Sequence, residues 1–388
     1  MKRTVMQRDI PFLPEEIITS ILIRLPVKRL IRFRCVCKHW KNLFKTPSSI
    51  VEHLHHSTHQ NPSLLFEDKE DRSRLRLCYR EMQVLRVQSE PFIGSVRRSH
   101  IVDSCNGLLC IIDKNYSLYL WNPAIRDFGR VPKSINWFES DDYYLGFGYS
   151  AIVNDYKIVK IYVSRSDGDL VSLVEVYSLR TGSWKEVDCD SLDGVTISSN
   201  GFNTNGNGAI FWSGLQVGVE KDGEGDIDLI VLFDIATESF CLISAPTSAF
   251  TYSGYGNGLA IYENKLAVLS HTLSENLESS LVDLWVLDED WEQWTKIYTS
   301  SPYAGLRLLP VTIWKDQIIC DVTDLPEVIA ETKTRVENDV HKNVMSSLTT
   351  NEFRMFGIHK DGKACHGYDI FSYAESLVPV SNFHIEWS

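Results

Sequence analysis

The amino-acid sequence predicts an α+β multidomain chain: a small N-terminal all-α module followed by an all-β, propeller-like domain of six blades. Three observations predict it. Apolar residues recur at helical spacing between residues 11 and 56, and that spacing fades beyond residue 60. A hairpin-like unit then returns about every 56 residues. Charge also reverses: residues 1–60 hold eleven Lys/Arg against four Asp/Glu, a balance of +7, and the remainder holds 28 against 47, a balance of −19. Opposite signs on two segments point to two modules with different partners. The boundaries read as a tail over 1–10, helices over 11–56, a linker over 57–62, the β-domain over 63–380 and a second tail over 381–388.

In the first segment Ile17, Ile18, Ile21, Leu22 and Leu25 trace one face of a helix. Pro14 suits a helix start, where no N–H is needed, and Glu15 and Glu16 suit the positive end of the dipole. Pro26 ends this helix and can open the next, with Val27, Leu30 and Ile31 as its apolar side. Phe33, Val36, Cys37, Trp40, Leu43 and Phe44 predict a third helix, with Lys and Arg on the other faces. Thr46-Pro47 reads as a cap and first turn, followed by Ile50, Val51 and Leu54. So small a bundle has more apolar surface than it can bury, so a partner or the second domain must cover some of it.

The second segment repeats an aromatic or aliphatic residue, a polar one, a turn of five residues, and an aromatic residue seven places after the first. Trp121 to Phe128, Tyr177 to Trp184, Phe233 to Phe240 and Leu287 to Trp294 fit it. Leu65 is a weaker earlier start, and Phe356 a candidate sixth. A four-stranded sheet cannot bury both faces alone, so neighbouring sheets must stack with the repeated aromatics in the seams. A pair of β-sandwiches is the competing arrangement.

Two sets of residues carry a family resemblance. Leu13-Pro14-Glu15-Glu16-Ile17-Ile18, Ile21 to Lys28 and Phe33 to Trp40, with Arg34-Cys35-Val36-Cys37-Lys38 inside, closely resemble the plant F-box. Ser104 to Cys110, Leu120 to Arg126, Leu145 to Tyr149, Asn154 to Val159, Val174 to Leu179 and Tyr373 to Leu377 resemble the F-box-associated, kelch-like domain, close to the S-locus F-box group. The resemblance implies a substrate-recognition subunit of a Skp-cullin-F-box ubiquitin ligase. By position, the Skp-type adaptor would meet Leu13, Pro14, Ile17, Ile18, Leu22, Leu25, Pro26, Val27, Leu30, Cys35, Val36 and Trp40, some of which must be internal core instead. Val36 and Trp40 are the most ambiguous. The β-domain would hold a protein target, and its acidic balance favours a basic one. The S-locus group implies recognition of basic secreted ribonucleases in pollen. A protein-binding propeller outside the ligase and a propeller enzyme are the other readings.

No motif for chemistry competes. The chain lacks a P-loop, a G-x-S-x-G elbow and an H-E-x-x-H pair, so a non-catalytic adaptor without cofactor or metal is expected. His53, His55, His56 and His59 cluster without paired cysteines or carboxylates and read as an exposed helix end. Cys35 and Cys37 read as lying on different faces of a helix. Gly254 to Gly258 reads as a strand-entry turn, and the acid-rich run Glu220 to Asp228 as a solvated hairpin tip. The acidic bulk argues against nucleic acid, and no apolar run is long enough to span a membrane. Nine cysteines, no C-x-x-C pair and no export signal suggest reduced thiols in the cytosol or nucleus.

Overall fold

The computed structural model describes residues 13–380 apart from 61, 69–74, 79–83, 88–99, 137–141, 165–167, 199–202, 218–226, 247–257, 274–278, 305, 325–341 and 358–367. Four helices come first: α1 (Glu15–Ile23), α2 (Val27–Phe33), α3 (Lys38–Leu43) and α4 (Pro47–Gln60). Pro14 and Pro26 sit at the N-caps of α1 and α2, and Pro47 opens α4. Thr46 Oγ1 accepts the Ser49 N–H at 3.4 Å and donates to Leu43 O at 2.8 Å, the cap that the Thr-Pro pair predicts.

Two expectations need correction here. The third helix does not begin at Phe33. Cys37 is extended (φ −155°) and its thiol accepts the Trp40 N–H at 3.4 Å, so the chain breaks before α3. Cys35 and Cys37 therefore lie between helices, not on two faces of one. Helix α4 also runs to Gln60, over most of the stretch read as a linker.

The β-domain has six blades. Blade 2 is the simplest: His100–Cys105, Leu108–Ile112, Leu118–Asn122 and Asp127–Arg130, antiparallel and in chain order. Blade 3 holds Asp142–Ser150, Asp155–Ser164, Leu170–Ser178 and Ser183–Val187. Blade 4 holds Thr204–Gly206, Ala209–Gln216, Ile227–Asp234 and Ser239–Ser244. Blade 5 is built on Gly258–Tyr262, Lys265–Leu273, Ser279–Leu287 and Trp294–Thr299. Blade 6 comprises Leu306–Trp314, Gln317–Asp324, Lys342–Ser347 and Phe353–Gly357. Blade 1 joins Ser63–Asp68, Leu75–Cys78 and Val84–Val87 to Tyr368–Tyr373, which supplies its first strand from the far end of the domain. Hydrogen bonding groups the described strands into five sheets, because Val195–Ile197 pairs with blades 3 and 4 and fuses them.

The repeat in the sequence is the hairpin between the third and fourth strands. Trp121 lies opposite Phe128, Tyr177 opposite Trp184, Phe233 opposite Phe240 and Leu287 opposite Trp294. The Phe233 and Phe240 rings are 4.9 Å apart, and those of Tyr177 and Trp184 are 5.4 Å apart. Leu65 is not an equivalent start, since it belongs to the second strand of blade 1. The start in blade 6 is Ser346, opposite Phe353, and Phe356 lies late in the fourth strand of that blade.

Strand alternation closes the ring. Leu109 and Trp121 turn toward Leu65 and Tyr373 of blade 1, whereas Cys110 and Leu120 join the cluster containing Phe147 and Ile158 of blade 3. Equivalent buried clusters join blades 3 and 4, 4 and 5, 5 and 6, and 6 and 1. Every seam of a six-membered ring is thus filled with apolar side chains, which removes the sandwich alternative.

A buried polar strut crosses the inner strands. Asn205 of blade 4 donates to Asp103 Oδ2 of blade 2 at 2.9 Å and to Ser104 O at 3.1 Å. Burial pushes the Asp103 carboxyl up to about 7, against the opposing pull of the Asn205 and Ser104 hydrogen bonds. The folded carboxyl holds its proton to that pH, whereas an unfolded aspartate loses it near ~4. Between those values the folded state binds more protons, so this group's contribution to stability falls as pH rises through the window and is level above it. Asp103→Asn is expected to stabilise the protein at pH 8 by about 1–3 kcal/mol and to change little at pH 4. Urea unfolding at both pH values measures it; an equal difference at the two would refute the protonation account.

Candidate functional site

Helix α1 carries two apolar stripes. Ile18, Leu22 and Leu25 turn inward, with Leu22 only 3% exposed in a cluster that includes Val27, Leu30, Phe44 and Ile50. Ile17 and Ile21, four residues apart, lie on its outer side at 47% and 50% exposed, and Leu13, just before the Pro14 N-cap, is 52% exposed. His39 Nε2 meets Glu15 Oε1 at 2.9 Å, which brings the start of α3 to the start of α1. Both groups are exposed, so the contact places the helices more than it stabilises them. Val36, in the break between α2 and α3, is 61% exposed, and Pro14, Pro26 and Cys35 are exposed too.

The structure sorts the twelve residues proposed as adaptor contacts. Leu13, Pro14, Ile17, Pro26, Cys35 and Val36 are exposed. Ile18, Leu25 and Trp40 are half-buried, with the Trp40 ring 5.6 Å from that of Phe33. Leu22, Val27 and Leu30 are buried, so they are internal core and cannot meet a partner in this arrangement. Ile21, outside that set, joins Ile17 on the outer side; their i, i+4 spacing on α1 is the signal that would have found it.

The histidine cluster also divides. His53 is not an exposed helix end: it is 3% exposed, and its Nε2 lies 3.1 Å from Leu25 O, fixing α4 against the end of α1. Desolvation lowers its pKa, against the raising effect of that hydrogen bond, and so favours the neutral ring. Among the described residues no group of three or more His, Cys, Asp or Glu is arranged to hold a metal ion. No described helix is long and apolar enough to cross a membrane.

The module sits on one particular end of the ring. In an antiparallel blade the first-to-second and third-to-fourth turns share one face, and the other connections share the opposite one. Ser63, where the chain leaves the helices, starts a second strand and so lies on the first of these faces. Trp314 Nε1 donates to Pro62 O at 3.1 Å, and a cleft of about 230 Å³ separates Leu25, His53 and His56 from Ser63 and Glu375.

On this face the segment after Tyr373 is stapled to blade 2. Asn122 Nδ2 donates to Ser376 O at 3.1 Å and Val378 O at 2.8 Å, and Asp127 accepts the Val380 N–H at 2.7 Å. Gly107 lies beneath with φ +78°. A Cβ there would fall 2.5 Å from Ala374 O. Asp155, at a strand start, accepts from Ser178 Oγ and the Arg180 N–H at 2.6 and 2.9 Å. The motifs Asn106-Gly107, Asn122-Pro123 and Asn154-Asp155 are thus turn and closure devices. Of the other segments singled out in the sequence, 254–257 and most of the acid-rich run 220–228 lie outside the described residues; the strands flanking that run, Ala209–Gln216 and Ile227–Asp234, do form a hairpin.

Comparison with known proteins agrees with this division. Residues 10–52 match the F-box domain, and residues 60–368 match the F-box associated beta propeller domain. An F-box protein of Arabidopsis thaliana is 31% identical over 367 residues, 84% of each chain. F-box protein CPR1 of the same plant is 26% identical over 334 residues, 79% of this chain and 78% of that one. A third Arabidopsis F-box protein is 37% identical over 176 residues, a match that spans 46% of its length. A six-bladed fungal lectin from Aleuria aurantia aligns over 69% of this chain and 77% of its own, with 12% identity and a TM-score of 0.37. The fold and the exposed helical stripe define a two-module, F-box-type protein. The chain belongs to the plant F-box family whose members carry an F-box-associated β-propeller.

Proposed function

We propose that this protein is the substrate-recognition subunit of a Skp-cullin-F-box ubiquitin ligase acting in the cytosol or nucleus. The observation that carries the reading is the uncovered set Leu13, Ile17 and Ile21, with Val36, on a helical module of F-box type. These half-exposed aliphatic side chains suit a helix-on-helix dock, and the Lys and Arg rim would steer an acidic partner. The adaptor would connect the module to a cullin, and the propeller would hold a protein target. The receptor then contributes proximity and orientation, and other subunits carry the thioester chemistry. Co-expression with a Skp-type adaptor and cullin tests it. A stoichiometric complex is expected, and failure of the folded chain to enter one would overturn the proposal.

A further inference from the structure

The seam between blades 4 and 5 holds a pocket of about 170 Å³ on the same face as the helices. Three turns meet there: Asn207 from blade 4, and Asn264 and Asp288 to Trp291 from blade 5. The Asn207 side-chain amide donates to Asn264 O and ties the first two together. Trp291 is 42% exposed and lies over the buried Phe211, with ring centroids 5.9 Å apart and planes at 22°. Its φ of +64° is a costly conformation for a bulky residue. The large aromatic surface thus faces water at the pocket mouth.

The charge around this surface is mostly negative. The turn reads Asp288-Glu289-Asp290-Trp291-Glu292, and Glu263 lies in the adjoining turn. Asp288 accepts the Glu292 N–H at 2.9 Å and so remains a fixed carboxylate. Lys265 is the one cation of the pocket lining among the described residues, and it pairs with Glu289 at 3.2 Å. An exposed indole face rimmed by carboxylates attracts a cation and repels an anion.

We propose that this pocket takes a lysine or arginine side chain from a basic segment of the protein target. The inference rests on the receptor reading and gives the target a chemistry. The incoming cation lies on Trp291 and competes with Lys265 for Glu289. The pairing of Lys265 with Glu289 therefore makes that lysine an internal competitor.

Fluorescence anisotropy of a labelled (Arg-Gly)5 peptide on the full chain, with (Glu-Gly)5 as control, tests this. Trp291→Ala, which leaves net charge unaltered, is expected to weaken binding about fivefold or more, and Trp291→Phe to retain most of it. Lys265→Met is expected to tighten binding by about two- to tenfold, as the competitor is removed. Equal binding by wild type and Trp291→Ala would overturn the site, since charge alone would then account for the affinity. So would no tightening in Lys265→Met, or binding of the acidic peptide. Adaptor co-purification scored on the same samples separates the two ideas: a peptide failure with the adaptor retained refutes the pocket alone.

Discussion

Replacing Leu13, Ile17 and Ile21 together by aspartate is expected to abolish co-purification with a Skp-type adaptor without unfolding the helical module. The three side chains are about half exposed and lie outside the core, so their loss should cost the fold little. Covering the exposed half of each would contribute about 1–1.5 kcal/mol, so three carboxylates in their place should weaken the complex by at least about a hundredfold. Leu22→Asp is the contrasting variant. It places a charge at a site 3% exposed, and is expected to melt the module and lose adaptor binding indirectly. Circular dichroism of the isolated variants distinguishes the two routes. A triple variant that still binds the adaptor would show that docking uses another face.

Gly107→Val is expected to destabilise the propeller by about 3–5 kcal/mol, lowering its Tm by on the order of 10 °C. Two costs combine. A β-branched residue is strained at φ +78°, and its Cβ would press within 2.5 Å of Ala374 O and 2.6 Å of Ser376 Oγ, in the segment that staples blade 1 to blade 2. Gly168 separates these costs, since it has φ +75° and nothing within 4 Å of a Cβ. Gly168→Ala should therefore show the conformational cost alone, about 1 kcal/mol. If thermal unfolding finds the two variants equally destabilised, the close approach of the closing segment is not a constraint on this turn.

The hairpin repeat was legible because its two aromatics are direct partners across one short turn, so a fixed separation of seven in the sequence is a fixed register in space. The count at the ends went astray for a physical reason. Blade 1 takes its first strand from residues 368–373, which makes Leu65 second in its sheet and removes it from the series. Blade 6 keeps the separation at Ser346 and Phe353, but a serine replaces the aromatic and hides it. In α1 the pattern gave the helix but not its orientation. Both stripes are aliphatic, and only the packing of α2 and α4 decides that Leu22 is core and Ile21 is surface. The Trp291 pocket left no sequence signal, since its three turns meet only when blades 4 and 5 stack.

The origin of the first strand of blade 1 also sets an order of events during synthesis. The helices and residues 63–68 leave the ribosome early, yet blade 1 lacks an inner strand until residue 373 has been made. If the helices fold on emerging, the module displays its outer aliphatic side chains throughout that interval while the ring behind it is open. A nascent or prematurely terminated chain would then compete for adaptor with nothing to present, a dominant-negative product in genetic terms.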